Sequence, residues 1–155
     1  GGSPRRNGLP QNDSLNNFIN LMNKKADELG LKNTRFTDPT GYDPSNVSTA
    51  LDLVKLIKYS LDKPLIWDIL KTPVIDLSSS DGKTIHHLVN NNQLLNRLPE
   101  MIAGKTGYTE EANGCMISLI RAPDGTNLIS VILGAEDRFL ETEKLVKWLK
   151  EAYLW

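Results

Sequence analysis

Apolar residues in the first third of the chain recur at helical spacing, and this pattern predicts a first helix from about Ser14 to Leu29. Ser14 can cap the free backbone N–H groups at the start of this helix. Gly30 can adopt the left-handed conformation with which many helices end. The apolar stripe, typical of one face of an amphipathic helix, consists of Leu15, Phe18, Ile19, Met22 and Ala26.

The same spacing, combined with start signals, predicts three further helices. Pro64 is well placed as the first residue of a short helix, because proline lacks the N–H group that a first turn leaves unpaired. A turn-rich connector over residues 34–46 separates the first helix from the second. The three helices are expected from Ser48 or Thr49 to Leu61, from Leu65 to Leu70, and over residues 138–149.

Short apolar runs separated by turn residues predict antiparallel strands in two groups. Residues 74–78 and 83–89 read as a hairpin around Ser80-Asp81-Gly82. An extended stretch over residues 102–109 precedes two apolar runs that Pro123-Asp124-Gly125 joins into a second hairpin. Residues 90–101 between the groups form an irregular connector. The pattern predicts an α/β fold in which an antiparallel sheet packs with helices.

Composition limits the chain to one domain and excludes several classes of function. The chain has 155 residues, of which 39% are hydrophobic and 24% charged, which suits a single globular core. A net charge of -1 does not favour nucleic-acid binding or a membrane-surface patch. No spacing of ligating residues suggests a metal site, and no cofactor is expected. Residues 1–13 are expected to form a flexible leader or linker ahead of a domain over residues 14–155.

Two other residue types have structural interpretations. The single Cys115 lies in an apolar strand pattern and is expected to be a buried, inert thiol. His86 and His87 alternate along a strand, so they should face opposite sides. We expect one of them on the surface and the other hydrogen-bonded in the interior.

The most informative stretch is Lys105-Thr106-Gly107, which stands in an extended segment with glycine on both sides of the lysine. Taken alone, three common residues have an ordinary interpretation, a strand end with a solvated lysine. The context favours a functional interpretation, because the tripeptide is followed by a turn and an antiparallel hairpin. Lys-Thr-Gly is also one of three elements that build the active site of penicillin-recognising serine enzymes.

Further segments along the chain make the resemblance specific. They are 18–26 (FINLMNKKA), 29–36 (LGLKNTRF), 38–43 (DPTGYD), 48–53 (STALDL), 92–95 (NQLL) and 128–135 (LISVILGA). Together with Lys105-Thr106-Gly107 they resemble the catalytic domain of D-alanyl-D-alanine carboxypeptidases, which are low-molecular-mass penicillin-binding proteins. The resemblance covers roughly residues 14–155 and implies a penicillin-binding-protein and β-lactamase-like fold.

The resemblance also implies a role for each residue of the stretch. In this class a serine attacks the peptide carbonyl and forms an acyl-enzyme. Lys105 would place its ammonium group near that serine, and Thr106 would donate a hydrogen bond to the terminal carboxylate of a D-Ala-D-Ala stem peptide. Gly107 would let the substrate lie against the strand edge. One oxyanion-hole N–H would come from the strand near Tyr108. The side chains of Lys105 and Thr106 are both expected to point into the cleft.

The other two elements of such an active site, Ser-x-x-Lys and Ser-x-Asn, have no convincing match. Ser-x-x-Lys works because a helix puts both side chains on one face, one turn apart. The string from Ser60 to Lys63 lies at a helix end before Pro64, and the string from Ser80 to Lys83 lies in a probable turn. Ser14-Leu15-Asn16 matches Ser-x-Asn but is better explained as a helix cap. No nucleophile is therefore assigned within this chain.

We therefore expect the C-terminal part of a serine-type D-Ala-D-Ala carboxypeptidase that acts on peptidoglycan outside the cytoplasm. The fold would be incomplete at its N-terminal side, and the chain alone would be inactive. Its exposed sheet edge would favour pairing with a chain that carries the N-terminal half, or self-association. β-Lactams would bind once the nucleophile half is present. The alternatives are a non-catalytic binding or scaffold protein of the same fold, and a β-lactam-hydrolysing relative.

Overall fold

The structure, a computed structural model, describes residues 11–153 of the chain, with side chains from residue 13 onward. Residues 1–10, which are most of the expected leader, lie outside the described residues. The elements in chain order are α1 (Gln11–Glu28), α2 (Ala50–Ser60), α3 (Pro64–Leu70), β1 (Val74–Ser78), β2 (Ile85–Val89), a 3-10 turn η1 (Gln93–Leu95), β3 (Met101–Thr109), β4 (Asn113–Arg121), β5 (Asn127–Ala135) and α4 (Arg138–Ala152). This mixture of helices with antiparallel sheets confirms the predicted fold class.

The first helix begins earlier than the sequence pattern predicted. It starts at Gln11, so Ser14 lies inside the helix, and its assignment as the N-cap was wrong. Asp13 stands in the first turn, where a carboxylate interacts favourably with the positive end of the helix dipole. The predicted end is confirmed, since Gly30 has φ 66° and Leu31 N–H donates to the Ala26 carbonyl at 2.9 Å.

The caps of α2 and α3 follow the sequence signals. The Thr49 side chain accepts a hydrogen bond from the Asp52 backbone N–H and begins α2. Pro64 is the first residue of α3, as predicted. Asp52 is buried, and its carboxylate accepts hydrogen bonds from the backbone N–H of Asn33 at 2.7 Å and from Thr34 Oγ1 at 3.1 Å. α2 is thereby tied to the start of the connector that follows α1.

The hairpin of β1 and β2 is the most exposed part of the described chain. Every residue of both strands is exposed, although most are apolar. Asp76 pairs with His87, and Leu77 pairs with His86, so the two histidines face opposite sides. Both are exposed, which makes the expected interior histidine wrong, and His87 Nδ1 lies 2.7 Å from Asp76 Oδ1. The reason is that no described element covers either face of this hairpin along its length.

A three-stranded antiparallel sheet in the order β3-β4-β5 forms the centre of the fold. The turn between β4 and β5 uses Gly125 at φ 86°, where a residue without a Cβ is favoured. Asp137 caps α4 by accepting hydrogen bonds from the backbone N–H groups of Phe139 and Leu140. The core on the α4 side of the sheet is formed by Leu94, Met101, Met116 and Phe139.

Two glycines of the sheet give a matched test of this geometry. A Cβ added at Gly114 would lie 2.7 Å from the Ala135 carbonyl oxygen, whereas one added at Gly107 would meet nothing nearer than Cys115 Cβ at 3.9 Å. Gly114→Ala should therefore lower the free energy of unfolding by about 1–3 kcal/mol. Gly107→Ala should change it little. Urea denaturation followed by circular dichroism measures both, and equal losses would contradict the described approach of β4 to β5.

Candidate functional site

The Lys105-Thr106-Gly107 stretch lies in the middle of β3, at an edge of the sheet. Among residues 11–153, β3 is hydrogen-bonded to β4 alone, so its other edge is open. Lys105 and Gly107 are exposed and Thr106 is half-buried. The Lys105 ammonium group donates to the backbone carbonyl of Thr106. This open edge leaves backbone N–H and C=O groups available to an extended peptide.

The register separates the two side chains that were expected to share one cleft. Lys105 is opposite Ile117 and Thr106 is opposite Met116, so the two side chains leave opposite faces of the sheet. Thr106 shares its face with Tyr108 and with the core residue Met116. The expectation that both point into the cleft therefore holds only for a cleft that runs along the strand edge. At an edge strand, however, both faces border the same open edge, where a peptide can reach either side chain.

A loop from the connector after α1 stands beside the end of β3. Tyr42 of this loop is 81% exposed and Tyr108 of β3 is 60% exposed. With Gly107 and Cys115 they border a pocket of about 280 Å³. Gly41, at φ 81°, lets the loop turn back toward the strand. Residues 38–43 and the Lys105-Thr106-Gly107 stretch both contribute to the sequence resemblance, but only the fold shows that they lie side by side.

Asp38 holds this loop together. Its carboxylate accepts hydrogen bonds from the Thr40 backbone N–H at 3.0 Å, from the Thr40 hydroxyl and from the Asn46 amide. The Thr40 hydroxyl is the main cause that holds the pKa of Asp38 at about 2, and Asn46 adds to this effect. The loop is therefore organised around an ionised carboxylate.

Arg138 is a candidate site residue that the sequence interpretation missed. Its guanidinium carbon lies 6.0 Å from the centre of the Tyr108 ring and 4.6 Å from that of the Phe139 ring. Its Nε is buried and has no hydrogen-bond partner among the described residues. The sequence signal was only an arginine after the helix cap Asp137. Its place over β3 follows from how α4 returns across the sheet.

Cys115 differs from its expected environment. It was predicted to be buried, but it is half-buried and borders the pocket beside Gly107. Its Sγ lies 3.7 Å from the Ala112 carbonyl oxygen. The cause is its position near the start of β4, where it is opposite Gly107, a residue without a side chain that could cover it.

The two Ser-x-x-Lys strings do not have the geometry of a nucleophile and its base. Ser60 is the last residue of α2, and its hydroxyl donates to the Ile57 carbonyl at 2.7 Å. The Lys63 ammonium lies over the Tyr59 ring, 5.7 Å from its centre. Ser80 and Lys83 are exposed in the β1–β2 turn, and Lys83 Nζ lies 3.9 Å from Asp81. Neither pair lies one turn apart on a helix face.

Neither a cluster of metal ligands nor a membrane-spanning helix is present among residues 11–153. Within residues 11–153 no group of three or more His, Cys, Asp or Glu side chains is placed to hold a metal ion. None of the helices in the same range has the length and apolar character needed to cross a bilayer.

Comparison with known proteins gives consistent matches over most of the chain. Residues 12–137 match the model of the D-alanyl-D-alanine carboxypeptidase family. The chain is 35% identical over 140 residues to the D-alanyl-D-alanine endopeptidase of Pseudomonas aeruginosa, covering 87% of this chain and 44% of the relative. It is 34% identical over 137 residues to the D-alanyl-D-alanine carboxypeptidase DacF of Bacillus subtilis, covering 88% of this chain and 35% of the relative.

The solved structures agree with these relatives. The crystal structure of penicillin-binding protein D2 from Listeria monocytogenes in its cefotaxime-bound form matches with a TM-score of 0.72 and 31% identity. The match covers 84% of this chain and 53% of that chain. The chain thus spans less than half the length of the two curated relatives described above, and about half of this structure.

The Asp38 network generates a prediction about pH. The folded pKa of about 2 lies below the ordinary value of 3.8. The ionised carboxyl therefore stabilises the fold above pH 3.8, and this contribution is lost as the pH falls through about 2. Asp38→Asn should lower the urea midpoint at neutral pH, and the difference from wild type should shrink at acid pH. A difference that stays constant down to the acid range would contradict the assigned network.

Proposed function

The chain belongs to the D-alanyl-D-alanine carboxypeptidase family of serine peptidases, and on this premise we propose that it supplies the substrate-holding part of such an enzyme. The proposal rests mainly on one observation, the Lys105-Thr106-Gly107 stretch at an open strand edge. The substrate would be a peptidoglycan stem peptide that ends in D-Ala-D-Ala. In the reaction a serine hydroxyl attacks the penultimate carbonyl, terminal D-alanine leaves, and water hydrolyses the acyl-enzyme.

We assign the substrate backbone to the open edge of β3. An extended stem peptide would add to this edge as a further strand and pair with its backbone groups. Gly107 is exposed and has no side chain, so the peptide can approach closely there. The backbone N–H of Tyr108 would supply one donor of the oxyanion hole, a contribution of roughly 3 kcal/mol in the transition state.

Thr106 and Arg138 are proposed to bind the terminal carboxylate. Thr106 and Tyr108 lie on one face of β3, and the Arg138 guanidinium stands over the Tyr108 ring on that side. The Arg138 Nε is buried and lacks a partner within the described residues. The other N–H groups of the guanidinium would supply the donors for an anion. Arginine binds carboxylates through paired hydrogen bonds, which suits the end of a peptide.

Lys105 is proposed to act from the other face. Its side chain leaves the face on which Ile117 lies and is exposed to solvent. There its positive charge would face the serine and support proton transfer between the nucleophile and its base. This role needs a neighbouring segment that carries the nucleophile, because neither Ser-x-x-Lys string in residues 11–153 has the required helical geometry.

The partner proposed for this chain is a segment that carries the N-terminal half of the enzyme. Within the described residues β5 is hydrogen-bonded to β4 alone, which leaves its outer edge open to a further strand. Self-association through the same edge is the alternative. With the partner present we expect β-lactam binding, and we place the enzyme outside the cytoplasm, where peptidoglycan lies. A non-catalytic binding protein, or a β-lactam-hydrolysing enzyme, would be the competing interpretations.

The absence of an assigned nucleophile predicts that the chain by itself is inactive. Incubation with benzylpenicillin should give no covalent adduct by intact mass, and incubation with a D-Ala-D-Ala peptide should release no D-alanine. Co-expression with the N-terminal half of a full-length relative should restore the adduct, and sedimentation should show a one-to-one complex. An adduct on the isolated chain would overturn the assignment and make Ser60 the first residue to replace. Stoichiometric self-association without restored acylation would favour the binding-protein alternative.

The assigned roles predict different effects of three substitutions in the complemented enzyme. Lys105→Ala should lower the acylation rate by several orders of magnitude, because it removes the charge that supports proton transfer. Thr106→Val and Arg138→Gln should chiefly weaken engagement of the terminal carboxylate, by on the order of 1.5–3 kcal/mol for each hydrogen bond to a charged group. Acylation kinetics with a stem peptide and with its C-terminal amide separate these effects, because the amide lacks the carboxylate.

Thermal melts provide the control for these variants. The Lys105 and Thr106 variants should melt within a few degrees of the wild type, because neither side chain is buried. Unchanged acylation by the Lys105 variant, or collapse of both melting temperatures, would show that this stretch is an ordinary structural strand.

A further inference from the structure

Two adjoining pockets lie between the connector loop after α1 and the end of β3. The first, of about 280 Å³, is the pocket beside Gly107 described above. The second, of about 350 Å³, is bordered by residues of β3 and β5, among them Thr109 and Leu133. Tyr42 and Cys115 border both pockets, so the two lie side by side. We call the two pockets together the Tyr42 groove.

The roles proposed along β3 set the direction of the bound substrate, and this step rests on the proposed function. The terminal carboxylate is assigned to Thr106. The carbonyl that the serine attacks belongs to the preceding residue of the peptide and is assigned to the backbone N–H of Tyr108. The peptide would therefore run antiparallel to β3. The residue that precedes D-Ala-D-Ala would then lie beside Thr109, which borders both pockets of the groove.

The groove lies on the face of the sheet from which the Lys105 side chain leaves. Gly107 and Thr109 follow Lys105 at every second position of β3, and Cys115 is directly opposite Gly107. A Cβ added at Gly107 would meet nothing nearer than Cys115 Cβ at 3.9 Å, so the groove is open at this position. Side chains of an added strand alternate between the two faces. A substrate side chain can thus enter the groove from the open edge of β3.

The groove is bordered by negative charge. Asp43 and Glu111 border its second pocket, and no lysine, arginine or histidine occurs among the described residues that border either pocket. Asp43 is half-buried, and its Oδ1 accepts a hydrogen bond from the Ser45 backbone N–H at 2.8 Å. Glu111 is exposed in the turn after β3. The exposed Tyr42 adds an aromatic ring, whose face attracts cations.

The nearest positive charges of the proposed site do not cancel this effect. Lys105 precedes Thr109 by four residues, which is roughly 13 Å along an extended strand. Exposed charges are largely screened beyond about 8 Å at physiological ionic strength. Arg138 lies over the ring of Tyr108, whose side chain leaves the opposite face of β3. The groove therefore favours a cationic group and disfavours a carboxylate.

We propose that the Tyr42 groove binds the side chain of the residue that precedes D-Ala-D-Ala, and that it selects a side chain ending in an ammonium group. The aliphatic stem of that side chain would lie beside Cys115. Its ammonium group would be attracted by Asp43, by Glu111 and by the ring of Tyr42. Tyr42 and Glu111 would thus determine specificity without taking part in acylation.

Peptide binding to the unaltered chain, followed by NMR, tests the proposal. The probes are N-acetyl-Lys-D-Ala-D-Ala and the same peptide with its lysine side chain acetylated, which keeps the aliphatic stem and removes the charge. Backbone signals of residues 41–43 and 109–112 should shift. The lysyl peptide should bind roughly three- to tenfold more tightly, as expected for one or two exposed charge contacts. This preference should shrink as salt is added.

Two neighbouring glutamates provide the matched variants. Glu111→Gln should remove most of the preference for the lysyl peptide. Glu110→Gln changes the exposed neighbour, which does not border the groove, and should retain the preference. An equal loss in both variants would mean a general effect of surface charge and would overturn the proposal.

The response of β3 distinguishes failure of this proposal from failure of the proposed function. If the signals of β3 shift with both peptides but the two affinities are equal, the selective groove is overturned and the proposed function stands. If neither peptide, in large excess, shifts any signal of β3, the proposed function is contradicted and the groove proposal is overturned with it.

Discussion

The antiparallel pairing of β3 with β4 is the constraint on which the position of each candidate functional group depends. A slip of one residue would exchange the two faces of β3. Lys105 would then turn toward the α4 side of the sheet, where Met116 and Phe139 form part of the apolar core. Because moving a charge toward an apolar core costs free energy, that register is disfavoured. The same pairing keeps Thr106 and Tyr108 on the side where Arg138 lies.

Arg138 reaches this side because three separate features coincide. Asp137 begins α4 directly after β5, and Phe139 anchors the first turn of the helix in the core. Gly114 lacks a side chain, and a Cβ there would lie 3.2 Å from Arg138 Cβ, so the helix start can approach β4 closely. The guanidinium is thus held over the β3–β4 end of the sheet by backbone geometry. Phe139 in the core and the cap Asp137 thus determine the position of Arg138, and this position is consistent with the proposed carboxylate-binding role.

Sequence signals that act within one turn of chain predicted most helices, strands and turns. The features that they did not predict depend on contacts between residues far apart in the sequence. Turn glycines, the Thr49 cap and Pro64 marked boundaries that the structure confirms, because each acts within one turn of chain. Ser14 is not the cap because the helix already begins at Gln11. The exposure of Cys115, the separation of Lys105 from Thr106 and the place of Arg138 all depend on strand register and on which elements cover which face. Hydrophobic patterning alone does not specify either property.

The exposed apolar residues of the fold and the exposed Lys105 both point to a further segment that covers them. The β1–β2 hairpin and α3 leave Ile69, Ile75, Leu77 and Leu88 around an apolar pocket of about 390 Å³. Charges exposed to water interact weakly, by about 1 kcal/mol at 4 Å, and several times more strongly where water is excluded. In the proposed function, Lys105 would therefore influence a serine effectively only when another segment covers its face and displaces solvent. A segment that covers these apolar residues and excludes water from Lys105 would thus also strengthen the electrostatic effect of the lysine on the serine.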